Sequence, residues 1–155
     1  VLGHQHVYYT TLKTTKHDDE YVLVLEDDVI FKQDPIDYIN RLLEKCHQNE
    51  IKFDCIFMGE AALRVGDNRD IFYKKTHPAT NGLCTVLYSV ASAKKVLNYI
   101  KIHKIDHALD WYFNKVFEEL QFDVYWAKAI TEHGSVTAVR DPSKKGLKSS
   151  LRESY

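Results

Sequence analysis

The chain has 155 residues, 45% of them hydrophobic and 28% charged, the composition of one folded domain with a real core, not of a disordered polypeptide. Its 21 Lys and Arg against 22 Asp and Glu leave a formal charge of -1, so no overall field draws it to nucleic acid or anionic lipid. No stretch approaches the roughly 20 apolar residues of a membrane-spanning helix, and no signal-peptide pattern opens the sequence.

A weak helical stripe of Val7, Tyr8, Thr11, Leu12 and Thr15 precedes the first strand, Tyr21-Val-Leu-Val-Leu25. That strand runs directly into Glu26-Asp27-Asp28, and apolar Val29-Ile30-Phe31 follows. Asp34-Pro35 predicts a helix start, with Asp as N-cap and Pro in the first turn, and Ile36, Ile39, Leu42, Leu43 and Cys46 line one face to about His47. Asp54 to Met58 is a short buried strand closed by Gly59, and residues 60–80 read as a loop carrying a short strand from Ile71 to Lys74. Leu83 to Tyr88 is a third strand. Ser89 caps a helix with Ala93, Val96, Leu97 and Ile100 inward, and Asp106 caps another with Leu109, Phe113, Val116, Phe117 and Leu120 inward. Val124 to Trp126 is the last strand, and Pro142 to Tyr155 reads as a mobile basic tail within a basic run from Arg140 to Arg152. Unbroken Val/Leu/Ile runs alternating with helical stripes predict an α/β fold with a largely parallel sheet.

Three adjacent carboxylates repel one another unless a positive group joins them. Hard oxygen ligands match Mg²⁺ or Mn²⁺, and ligands of open α/β sheets sit at the carboxyl ends of strands. A charged surface turn gives the same letters. Asp106 and Asp110 fall on one face of their helix, where a first-turn carboxylate stays ionised. That suits a base or a ligand, and equally a cap and a rim charge. His133, followed by Gly134, has the chemistry to complete a carboxylate site for Mn²⁺, although an isolated surface histidine has no function in most cases. His103 and His107 stand four apart without a supporting motif. Arg140, Lys144 and Lys145 suit phosphate oxygens, as they suit a solvated tail. Cys46, Cys55 and Cys84 are odd in number and lack a CxxC, which fits reduced structural thiols.

Taken in order, several segments resemble the family 25 glycosyltransferases, the lipopolysaccharide sugar transferases and collagen galactosyltransferases. They are Leu2-Gly3 with His6, Leu23-Val-Leu-Glu26-Asp27-Asp28-Val29, Asp54-Cys-Ile-Phe-Met-Gly59, Thr80 to Leu97, Ile105 to Tyr112, and His133-Gly-Ser135. The resemblance covers the chain to about Arg140. It implies a transferase domain over 1–140, a GT-A-like, Rossmann-like sheet with flanking helices, Mn²⁺ (or Mg²⁺) and a UDP-sugar donor. Galactose or glucose would pass to a hydroxyl of a glycan or protein acceptor, with inversion. By the same resemblance Glu26, Asp27 and Asp28 form the metal and diphosphate motif, Asp110 is the base, and His133 is a further metal ligand. Asn81 and Gly82 would line the sugar or acceptor pocket, with Arg140 beside the phosphates. The family's opening Ser-His is Gln5-His6 here, and nothing matches its base-binding strand–helix–strand opening. A partner or a further segment is therefore expected to complete the nucleotide site. The compartment follows the acceptor: cytoplasmic for a bacterial or viral member, the secretory lumen for a collagen-modifying one.

An inactive or partial transferase-like binding module is the nearest rival. A receiver-type signalling domain also opens with a strand ending in acids that bind Mg²⁺. It needs a phosphate-accepting Asp after its third strand, where this chain has Met58-Gly59-Glu60. A metal-dependent nuclease would need a basic groove and a lysine beside the acids; the near-neutral charge and the absence of that lysine both speak against it.

Overall fold

The computed structural model describes residues 17–59, 73–74 and 82–133. They form strand β1 (Tyr21–Leu25), β2 (Val29–Phe31), helix α1 (Pro35–Gln48), β3 (Cys55–Gly59), β4 (Tyr73–Lys74), β5 (Thr85–Ser89), helices α2 (Val90–Ile102) and α3 (Leu109–Glu119), and β6 (Val124–His133). The six strands make one sheet in the order β1-β5-β3-β6-β2, with β4 also paired to β6.

The expected mostly parallel, GT-A-like sheet is corrected by the strand directions. β1 and β3 both run antiparallel to β5, and β2 and β4 run antiparallel to β6. Only β3 and β6 are parallel. The result is a small mixed sheet, nearly closed into a barrel. Continuous apolar runs suggested parallel strands because parallel sheets are covered on both faces. Here both faces are covered as well, and strand direction leaves no trace in the composition.

The two faces separate by residue parity in β1, β3, β5 and the first half of β6. Val22, Val24, Cys55, Phe57, Val86, Tyr88, Val124 and Trp126 join one core, closed by α2 and α3 through Val96, Ile100, Phe113 and Phe117. Ile56, Met58, Leu87, Ala127 and Ile130 join the other, closed by α1 through Leu42 and Cys46. Phe57 stacks on Trp126 at 5.4 Å and meets the edge of Phe117 at 6.0 Å. These rings are 2% exposed or less, so their burial contributes about 2–3 kcal/mol each before chain entropy is set against it.

Helix ends follow their caps with one exception. Asp34 accepts from the amides of Ile36 at 2.9 Å and Asp37 at 3.1 Å, and Pro35 opens α1. Ser89 accepts from Ser92 N at 3.1 Å and opens α2. The expected cap at Asp106 is not formed: α3 starts after Ala108 with no side-chain cap. Asp106 instead meets His107 at 2.8 Å and Lys115 at 4.0 Å. His103 lies beyond the end of α2 and stacks on Tyr99 at 4.1 Å, so the i, i+4 spacing of His103 and His107 falls outside any helix.

β6 is ten residues long and continues well past the expected Trp126. Its alternation breaks because its register against β3 shifts between Phe57 and Gly59, after which its second half pairs with β2. A bulge of this kind re-aims the strand and defeats a period-two reading. The first helical stripe, the region 60–72 and the basic tail lie outside the described residues.

Candidate functional site

One end of the sheet gathers the residues that matter. β1 ends at Leu25 opposite Thr85, β3 ends at Gly59 opposite Thr131, and β2 begins at Val29 opposite His133. The turn between β1 and β2 is Glu26-Asp27-Asp28, and it is fastened when Glu26 N donates to the Cys84 carbonyl at 3.1 Å. β2 is held next to it by Lys32 N, which donates to the Ile130 carbonyl at 2.8 Å. Beneath the turn, the buried hydroxyls of Thr85 and Thr131 share a hydrogen bond of 2.5 Å.

Glu26 and Asp28 are half-buried and Asp27 is exposed. Both half-buried carboxylates act on one atom. The Cys84 thiol is pushed up to about 11, first by burial, then by the charge of Glu26 and, more weakly, that of Asp28. Glu26 and Asp28 thus both lie near enough to Cys84 for their charges to be felt there, while Asp27 is exposed.

Among the described residues no three His, Cys, Asp or Glu side chains are grouped to hold a metal ion. The two carboxylates still fit a hard divalent cation. Mg²⁺ and ions like it are held by one or two carboxylates, keep several waters, and take remaining ligands from substrate phosphates. Glu26 and Asp28 are the residues that would hold it. The backbone of His133 stands opposite Val29, one residue from Asp28, which puts the expected third ligand's position beside the acids.

The other expected site residues divide. Gly82 is half-buried two residues before Cys84 and so enters the same end of the sheet. Asn81 and Arg140 lie outside the described residues. Asp110 sits in the first turn of α3, where its carboxylate accepts from Trp111 N at 2.9 Å. α3 ends where β6 begins, at the sheet end opposite the acids. Its eleven residues carry Asp110 about 15 Å back from there.

Sequence reading missed Cys84, Thr85 and Gly59 as parts of this site. Nothing in a Leu-Cys-Thr or Met-Gly pair marks chemistry. Their role is set by the strands that meet there.

All three cysteines are free and buried. Burial pushes Cys46 up to about 11 and Cys55 well above its ordinary value of 9.0. Each native thiol thus holds its proton where the unfolded chain has released it. The stability they contribute is complete below pH 9 and falls as pH rises through 9 to 11, by up to about 1.4 kcal/mol per pH unit for each thiol. Urea unfolding at pH 8 and pH 10.5 should show this loss, and Cys46→Ala should reduce the difference between the two. A stability unchanged across that window would contradict the burial of these thiols.

Two open grooves lie elsewhere. One of 650 Å³ is lined by Cys46, His47, Glu50 and Lys52, and one of 470 Å³ by Asp18, Asp19, Tyr21, Phe53 and Ser89. Both lie at the opposite end of the sheet from the acids. The acid turn is favoured here on chemistry, since two half-buried carboxylates in one short turn offer the hard oxygen ligands that a divalent cation takes.

Compared with known proteins, the chain matches no protein-family model and no curated protein.

Proposed function

We propose that this chain is a metal-dependent hexosyltransferase domain that takes a UDP-sugar and transfers galactose or glucose to an acceptor hydroxyl with inversion. The observation that supports it is the pair of half-buried carboxylates, Glu26 and Asp28, in the turn at the end of β1, a turn fastened to the sheet by the bond from Glu26 N to the Cys84 carbonyl. A divalent cation held there supplies charge neutralisation of the departing diphosphate. In this reading Glu26 and Asp28 bind that cation, Asp27 serves the diphosphate, and His133, Asn81, Gly82 and Arg140 are the further binding residues. Asp110 takes the proton of the acceptor hydroxyl.

One observation favours the binding-module alternative. Asp110, the residue this reading needs as its base, is engaged by the neighbouring Trp111 amide at 2.9 Å.

Two variants separate the readings. Mn²⁺ with UDP should raise the melting temperature, because a ligand selective for the folded state stabilises it by about 2.7 kcal/mol at a hundredfold excess over Kd. Asp28→Asn should abolish that rise, and an undiminished rise would remove Asp28 from the site. Asp110→Asn should keep the rise while transfer to an acceptor disappears. A wild-type protein that shows the rise yet transfers no sugar is a binding module.

A further inference from the structure

β1 is an edge of the sheet. It pairs with β5 over all five residues, and among the described residues no strand pairs with its other side. Natural edge strands are guarded by Lys, Pro, a bulge or shortness. Tyr21-Val-Leu-Val-Leu25 has no Lys, Pro or Gly, and its register against β5 has no shift. Tyr21 and Leu25, its two ends, are 45% and 37% exposed. An extended chain laid along it would continue the ladder.

The charges around the strand say what kind of chain. Asp18-Asp19-Glu20 precedes it and Glu26-Asp27-Asp28 follows it, symmetrical about Leu23. A second copy paired antiparallel about Leu23 would set Glu20 against Glu26 and bring the acidic turns Asp18-Asp19 and Asp27-Asp28 of the two copies together. A parallel copy in register would set each acid against itself. Like charges directly opposite are destabilising, so this edge repels its own copy. It attracts a strand with cationic ends in either direction.

The groove of 470 Å³ lies at the Tyr21 end and adds a seat for one such side chain. Tyr21 stacks on Phe53 at 5.5 Å and 21°, giving an aromatic wall. Asp18 and Asp19 line the same groove. Asp18 is held by Lys94 at 2.5 Å, and Asp19 acts on the Tyr21 hydroxyl through its charge. A guanidinium or ammonium against an aromatic face beside a carboxylate is a favourable combination.

We propose that the outer edge of β1 docks an extended segment of a partner protein, apolar in alternation and carrying Lys or Arg at both ends. Main-chain hydrogen bonds to β1 supply the ladder, and the two acidic triplets select the ends.

The test uses the full chain in buffer containing EDTA, so that its outcome is independent of any cation at Glu26 and Asp28. The probe is a labelled peptide, Lys-Arg-Val-Thr-Val-Thr-Val-Arg-Lys. It should bind saturably and slow amide hydrogen exchange across residues 21–25. Replacing its cationic ends with Glu, or N-methylating alternate amides, should weaken binding at least tenfold. The exposed-site variant Asp19→Lys with Asp27→Lys should reverse the preference between the Lys/Arg-ended and Glu-ended peptides. The proposal fails if no binding occurs, if the Glu-ended or N-methylated peptide binds equally, or if protection appears elsewhere. It also fails if the protein alone dimerises with protection at 21–25, which would make a second copy the occupant.

Discussion

Asp54→Ala should destabilise the fold by about 3 kcal/mol, the sum expected when a carboxylate that accepts two bonds in a half-buried place is removed. Asp54 stands just before β3 and fastens three elements at the sheet end opposite the acids. One oxygen accepts the Ser92 hydroxyl at 2.5 Å, in the first turn of α2, and the other accepts Asp123 N at 2.8 Å, just before β6. Its backbone adds to the same junction: Asp54 N donates to Asp123 O at 3.0 Å, and Ser89 N donates to Asp54 O at 3.2 Å. Lys95 approaches the carboxylate at 3.9 Å. Alanine leaves the Ser92 hydroxyl, 1% exposed, without its acceptor and takes the side-chain acceptor from Asp123 N. Asp54→Asn keeps one acceptor oxygen and should cost about 1 kcal/mol. Urea unfolding of the two variants measures both. An alanine variant within 1 kcal/mol of the wild type would show that packing alone holds α2, β3 and β6 together.

That junction shows which features a sequence displays. Ser89 could be read as a cap because a cap is local: a hydroxyl before an apolar stripe bonds an amide three residues on. Asp34-Pro35 was legible for the same reason. Asp54 was not, because its partners are 38 and 69 residues away. Strand positions were legible from apolar runs, but strand directions were not. Val22 and Val24 face one core and Leu23 the other whether β5 runs up or down beside them. The acidic turn was visible as three letters, and its anchoring to Cys84 was not, since β1 and β5 meet only through pairing across some 60 intervening residues. Asp106 misled because a first-turn acid and a cap look alike before the helix start is known.

Gly59→Ala should cost about 3 kcal/mol, at the upper end of what one extra methyl costs in a packed core. The reason is close approach, not backbone conformation, since none of the described glycines has positive φ. Gly59 ends β3 where the register against β6 shifts, so β5 and β6 both lie close to its α-carbon. A Cβ there would overlap Cys84 Sγ, and would stand 3.2 Å from Thr85 N and 3.4 Å from Thr131 Oγ1. The sulfur has little room to retreat, because Cys84 is 4% exposed. The displacement would move the start of β5, whose Cys84 carbonyl fastens Glu26 N. The acid turn would then loosen along with the fold. Cys84→Ala removes the overlapping sulfur and alone should cost about 1 kcal/mol for the small cavity. Combined with Gly59→Ala it approximately conserves volume. The double variant should therefore be more stable than the sum of the single effects predicts, by about 1–2 kcal/mol. The rise in melting temperature with Mn²⁺ and UDP, diminished by Gly59→Ala, should return toward wild type in the double variant. Strict additivity of the two substitutions would place the obstruction at the Thr85 backbone instead. In that case the spacing of β3 and β5, and not the thiol, fixes the geometry of the acid turn.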